Sequence, residues 1–384
     1  MKILFAPDSF KGTMSSIKVI ELLKDAASKH FTPLETVDVP IADGGEGTVD
    51  SLKIATGGEY RHKVVSGPLG QPVKAMYGII NGDTAVIEMA QASGITLIKD
   101  EERNPLLTTT YGTGELIKEA LDLGIRKFIV GIGGSATNDG GIGAAQALGI
   151  SFLDDSGKEV GYGGQQLSKI SKILVNKIDP RIKESSFIVI CDVSNPLTGE
   201  SGATAVYGPQ KGATKEMLEI LESGMKNYAS VIKDTIGQDI DKMPGAGAAG
   251  GLGAALMAFF GARLKPGIET ILEIVNFDKL LEGVDLVITG EGRIDGQSVY
   301  GKVPVGVASH CRKKGIKVVA IVGSMGQKAE NTYEFGIDSI MTAINKDMEL
   351  REALSRSEEL LKDAADRMFR MIKVGMSISQ SKSN

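Results

Sequence analysis

Residues 126–141 read Arg-Lys-Phe-Ile-Val-Gly-Ile-Gly-Gly-Ser-Ala-Thr-Asn-Asp-Gly-Gly. A short apolar run of branched and aromatic residues enters a glycine-rich stretch, and a helical pattern resumes after Asp139. This is the punctuation of a strand, loop and helix crossover, the repeating unit of a largely parallel sheet. Glycines at that point bring bare backbone N–H groups close to an anion, and the following helix start adds positive partial charge. Three readings compete. Gly131, Gly133 and Ala136 satisfy G-x-G-x-x-A, with Asp154 or Asp155 at a suitable distance for a ribose hydroxyl, which points to a dinucleotide. The glycines can also serve helix–strand packing alone. The third reading, a phosphate or substrate loop, fits best, because Thr137 to Gly141 prolong the loop with turn formers where a dinucleotide helix should already have begun.

The same alternation extends in both directions. Strands are expected at 2–6, 36–40, 126–131, 187–191, 284–289, 317–322 and 338–343, and helices at 15–29 (Ile17, Ile20 and Ala27 on one face), 113–123 and 214–233. Between 60 and 90, β-like runs separated by Gly-Pro and Asn-Gly-Asp turn signals predict hairpins. A final helix spaces Leu350, Leu354, Leu361, Ala364, Met368 and Met371 along one stripe. The fold class is therefore α/β. A chain of 384 residues exceeds what one core usually organises, so two domains are expected, with the ligand in the cleft between them. We read one as discontinuous, 1–60 plus 284–375, and the other as an insertion at 61–283, followed by a disordered polar tail at 376–384.

Composition narrows the function. Lys and Arg total 43 against 48 Asp and Glu, a formal charge of −5, and no basic block forms a footprint for nucleic acid or an anionic membrane. A small-molecule partner is expected. Cys191 and Cys311 lack metal or redox spacing, which fits a reducing compartment. The apolar stretch at the amino terminus is too short for a signal peptide, and no run reaches about 18 apolar residues, so a cytoplasmic location is expected. With His30, His62 and His310 scattered, any catalytic metal should have oxygen ligands. Subunit number stays open.

Five further segments offer chemistry. Asp8, Ser9 and Lys11 follow the first strand, where open α/β sheets bind ligands; Lys11 can neutralise a carboxylate or phosphate, though a polar turn before a Ser15 or Ser16 cap explains them equally. Asp43, Gly44, Gly45 and Glu46 set two acids around glycines that fold tightly about a cation or hydroxyl, or form a merely acidic turn. Asp192 ends an apolar strand and is the best candidate base, with Asn195 able to orient a neighbour and Lys211 ahead of a helix; simple turn capping is the alternative for Asp192. Gly245, Gly247, Gly250 and Gly251 lie in a loop with no strand before it, better suited to covering phosphates than to a dinucleotide fingerprint. Lastly, Glu291 and Asp295 precede a stretch, 296–302, with P-loop spacing but Val303 where magnesium needs a hydroxyl.

Taken in order, APDSFKG (6–12), ADGGEGT (42–48), GGSATNDGG (133–141), CDVSNPL (191–197), GPQKGA (208–213), PGAGAAGGLG (244–253) and GEGRIDGQSVYGK (290–302) resemble the bacterial glycerate kinases of type I over nearly the whole chain. The resemblance implies an ATP:glycerate phosphotransferase of two α/β domains, one flavodoxin-like, that requires Mg2+ and favours the 2-phosphate. On that basis Asp192 is expected to accept or orient the hydroxyl proton, and Lys11 and Lys211 to offset charge. The amides of Gly133, Gly134 and Ser135 and of 245–251 are expected to cradle phosphates. Glycerate is expected to meet Asp8, Ser9, Asp43, Gly44, Gly45, Ser135, Asn138, Asp139 and Asn195. Asp43, Glu46, Glu291 and Asp295 are the candidate magnesium ligands. The competing function is an NAD(P)-dependent oxidoreductase acting on a small 2-hydroxy acid or its semialdehyde.

Overall fold

The structure, a computed structural model, describes residues 1–42, 44, 45, 47–299 and 301–383, with side chains as far as 378. Its strands are β1 (Lys2–Pro7), β2 (Glu35–Asp38), β3 (Glu59–Ser66), β4 (Pro72–Ile80), β5 (Thr84–Glu88), β6 (Lys127–Gly131), β7 (Ser151–Leu153), β8 (Lys172–Leu174), β9 (Ser186–Ile190), β10 (Arg263–Lys265), β11 (Leu286–Ile294), β12 (Lys317–Met325) and β13 (Ser339–Thr342). They fall into two compact units. One holds Met1–Asp43, Asp50–Ala55 and Gly267–Asn384, the other Gly44–Val49 and Thr56–Pro266.

The first unit is built on an all-parallel sheet in the order β13-β12-β11-β1-β2. Counting only this unit's strands, the order is 5-4-3-1-2, the flavodoxin-like doubly wound arrangement. Its direction reverses between β1 and β11, and ligands bind beyond the carboxyl ends of the strands at such a point. Both faces are covered, so Ile3, Leu4, Phe5 and Ala6 are all fully buried, as a central parallel strand requires. The helix Ser16–Ser28 starts where the Ser15 side chain accepts from the Lys18 N–H, and it buries Val19, Ile20, Leu22, Leu23, Ala26 and Ala27. It packs on the last helix, Ser357–Ser383, where Phe31 meets Phe369 edge to face at 5.9 Å.

The carboxyl-terminal stripe departs from expectation. Two helices, Leu350–Ser355 and Ser357–Ser383, meet at Arg356, whose guanidinium bonds Glu352 behind it and Glu359 ahead. The break interrupts the period. Leu361, Ala364 and Met368 are buried, whereas Leu350 and Met371 are about 70% exposed (72% and 69%). The helix also continues to Ser383, through the stretch expected to be unstructured.

The second unit carries a six-stranded sheet in the order β10-β9-β6-β5-β4-β3. β5, β6, β9 and β10 are parallel, and β4 and β3 turn back antiparallel. Asn81 and Gly82, both with positive φ (53° and 75°), make the β4–β5 turn, which asparagine and glycine alone adopt routinely. Phe128 of β6 and Phe187 of β9 stack at 4.6 Å in the core. No helix among the described residues is long and apolar enough to cross a membrane.

Candidate active site

In the second unit, β6 and β9 lie side by side, and Gly131 pairs with Ile190 at their carboxyl tips. The Gly44–Gly45 turn rests directly on those tips. A Cβ on Gly131 would sit 2.5 Å from the Gly44 carbonyl oxygen, and one on Gly133 would be 3.0 Å from the Gly45 Cα. Glu88, buried at the end of β5, accepts the Val49 N–H at 2.8 Å and so anchors the segment that carries this turn. On its other side the loop after β6 is held by Ile95 N–H donating to the Gly134 carbonyl and Ala136 N–H donating to the Ser93 carbonyl, both at 2.9 Å. Ser135 is thereby fixed between two main-chain bonds. The N–H groups of Gly133 and Gly134 have no protein acceptor among the described residues.

Gly245–Gly251 closes over the same loops. Gly247 N–H donates to the Asn195 carbonyl and Gly140 N–H to the Gly250 carbonyl, each at 3.0 Å. Gly250 and Gly251 take positive φ (67° and 93°), and a Cβ on Gly250 would run into the Thr137 carbonyl. These glycines permit close approach of backbone to backbone.

Lys211 reaches into this assembly. It is 2% exposed, and its Nζ lies 2.7 Å from Ser135 Oγ and 2.6 Å from the Thr137 carbonyl oxygen. Burial lowers its pKa to about 7, while the charge of Asp139 pulls it back up. Asp139 is itself fully buried. One carboxylate oxygen accepts from Thr110 N–H (2.8 Å) and Oγ1 (2.9 Å) and from Gly143 N–H (3.3 Å), the other from Gly141 N–H (3.1 Å). Burial raises its pKa and these donors lower it. Asn138 is buried too; its Nδ2 donates to Thr204 Oγ1 at 3.0 Å, whereas its Oδ1 has no partner among the described residues. Asn195 bonds Tyr207 Oη and the Ser201 carbonyl. Asp192 begins an exposed run, 192–194, after β9. Beside it the Cys191 thiol donates to the Val193 carbonyl, and burial raises its pKa.

In the first unit the switch point of the sheet bears the other predicted residues. Asp8 N–H donates to the Gly290 carbonyl at 2.8 Å, and Ser9 N–H donates to Asp8 Oδ1 at 2.6 Å. The backbone of Phe10 and Lys11 then passes Gly292, where an added Cβ would be 3.7–3.8 Å from it. Glu291, 7% exposed, accepts from Ser298 Oγ at 2.9 Å and lies 3.4 Å from Lys302 Nζ, which is also 4.0 Å from Asp295. Burial raises the Glu291 pKa against the pull of Lys302. Asp43 and Glu46 lie outside the described residues, among which no three metal-binding side chains cluster. Two carboxylates and a hydroxyl are hard oxygen donors, and magnesium is usually bound by one or two carboxylates with substrate phosphates and water, so Glu291 and Asp295 suit it.

The run Thr108-Thr109-Thr110 went unread in the sequence, although Thr110 is the chief partner of Asp139. Its signal was present: threonines immediately before the helix Tyr111–Asp122 are cap-forming residues.

Glycine loops at the ends of parallel strands, closing on a buried lysine, are the parts with which an α/β enzyme can bind an anion. The loop after β6 is no dinucleotide fingerprint, because its helix begins only at Ile142. The chain belongs to the glycerate kinase family, whose sequence model matches residues 3–373. It is 48% identical over 365 residues to the glycerate kinase of Halalkalibacterium halodurans, covering 94% of this chain and 96% of that one. To the glycerate 2-kinase of Escherichia coli K12 it is 45% identical over 377 residues, covering 98% and 99%. A solved structure from Salmonella typhimurium LT2, provisionally described as a glycerate kinase 2, matches with a TM-score of 0.87 at 42% identity, covering 98% of this chain and 99% of that one. These relatives give the oxidoreductase reading no support.

Proposed function

We propose that the protein transfers the γ-phosphoryl group of ATP to glycerate, with the 2-hydroxyl as acceptor. The observation that carries this reading is the Lys211–Ser135 contact, 2.7 Å long, set among glycine loops in a chain of the glycerate kinase family. Uncommitted amides at Gly133 and Gly134 suit phosphate oxygens, and Lys211 places a cation beside them. In the transfer the glycerate oxygen bonds to the γ-phosphorus, the bond to the ADP oxygen breaks, and the hydroxyl proton passes to Asp192. Lys11, with Asp8 and Ser9, offsets the glycerate carboxylate. Asn195 shapes the loop through its two hydrogen bonds, and the unpaired Oδ1 of Asn138 suits a hydroxyl or water. Gly245–Gly251 covers the phosphates.

Mg2+ belongs to the proposal, held by Glu291 and Asp295 with Asp43 and Glu46 as the other candidates; when bound it neutralises charge on phosphate oxygens. We place the enzyme in the cytoplasm, where the free thiols Cys191 and Cys311 stay reduced. The test is nucleotide turnover with glycerate, related hydroxy acids, or NAD(P) in place of ATP, with 31P NMR of the product. Glycerate- and magnesium-dependent ADP release with a 2-phosphate signal is expected; absence of ADP release sinks the reading.

A further inference from the structure

Asp139 has the burial and the partners of a residue that works from behind the site. Its two oxygens are engaged by Thr110, Gly141 and Gly143, and Thr110 Oγ1 in turn accepts from the Ala144 N–H at 3.0 Å. One side chain thus ties together the starts of two helices, Tyr111–Asp122 and Ile142–Ala147, and the end of the loop that carries Ser135. Two residues earlier in that loop, the Thr137 carbonyl accepts from Lys211. Resting on the kinase reading above, we propose that Asp139 is a positioning residue, buried away from substrate, which fixes the 133–141 loop and keeps a negative charge beside the Lys211 ammonium.

Backbone N–H groups can only donate, so three of the four close contacts of Asp139 select an accepting carboxylate. Without that charge, a lysine so deeply buried gives up its proton more readily. Lys211 already has a pKa lowered to about 7, and loss of Asp139 would lower it further. Among the described residues, Tyr228 and the backbone of Arg103 also lie close to this pair. Tyr228 packs on Gly140 with its phenol pKa raised well above 10.0 by burial, so it is neutral. The Arg103 backbone abuts Gly212, and its guanidinium pairs with Asp100.

The test is the pH profile of kcat/KM in wild type, Asp139→Asn and Asp139→Ser, with Lys211→Arg as reference. If a protonated Lys211 is needed, activity falls as pH rises through its pKa. Arginine stays charged, so Lys211→Arg should lose that alkaline limb. In the Asp139 variants the limb should move down by about one unit or more, at least roughly a fivefold extra loss at pH 8 relative to pH 6. An unshifted limb in a folded variant overturns the proposal. Failure of both variants to fold also overturns it, since it would leave Asp139 a purely structural part. A wild type without glycerate kinase activity would instead sink the functional reading, before any variant is measured.

Discussion

Replacing Gly250 by alanine adds one methyl group where the structure has no room for it. Its Cβ would strike the Thr137 carbonyl oxygen and lie 2.7 Å from the Asn138 Cα, at a residue with φ of 67°. Gly157 supplies the control: its φ is 77°, but nothing lies within 4 Å of an added Cβ. Both substitutions incur the left-handed cost of about 1–2 kcal/mol. Only Gly250→Ala adds overpacking, about 1–3 kcal/mol, so it should destabilise by roughly 2–5 kcal/mol. Urea titration at constant slope reads the difference as a lower midpoint for Gly250→Ala. The catalytic effect should diverge more, because the displaced backbone is Thr137, whose carbonyl holds Lys211. A misplacement near 1 Å can cost about 100-fold in kcat, whereas Gly157→Ala should leave kcat unchanged. Equal midpoints in the two variants, or normal kcat in Gly250→Ala, would refute the idea that this glycine exists for close approach.

Other substitutions test single roles. Asp192→Asn should lower kcat by about 100-fold or more with a small change in KM, as removal of a general base does; near-normal turnover takes Asp192 out of that role. Glu291→Gln should raise the magnesium concentration needed for half-maximal rate by about tenfold, read from a metal titration at fixed ATP, and an unchanged requirement removes Glu291 from the metal. Thr110→Val deletes a donor to the buried Asp139 carboxylate, and urea denaturation should show a loss of about 1–3 kcal/mol.

Strands were legible where a branched apolar run ends in glycine. Phe128-Ile129-Val130 needed no tertiary information, because local composition and the turn formers behind it already exclude a helix. The same holds for the β4–β5 hairpin, where Asn81 and Gly82 both take positive φ. The final helix was misread for the converse reason. Its apolar spacing is regular in sequence, but a break at Arg356 turns Leu350 and Leu354 to solvent, and spacing alone does not reveal a break held by side-chain ion pairs. Burial of Lys211 was equally illegible. Its partner carbonyl is 74 residues away, so its position depends on how two loops pack. Asp139 lay in a recognised loop, yet its two shortest bonds come from the unread Thr110, 29 residues earlier.

Glycine clusters were read as one signal, bare amides for an anion, and in three dimensions they divide into two jobs. Gly44, Gly131, Gly247 and Gly250 sit where a Cβ would overlap a neighbouring side chain or main-chain carbonyl. Gly247 and Gly140 also use their N–H groups on the protein's own carbonyls. A hydrogen already given to a carbonyl is a weak donor to phosphate. Among the described residues Gly133 and Gly134 have no acceptor for theirs, directly after β6 and beside the Lys211–Ser135 contact. On the proposed reading, anion binding therefore concentrates at these two amides and one lysine. The remaining glycines let four loops come close enough to hold those few groups still, which is how preorganised donors stabilise developing charge without reorganisation.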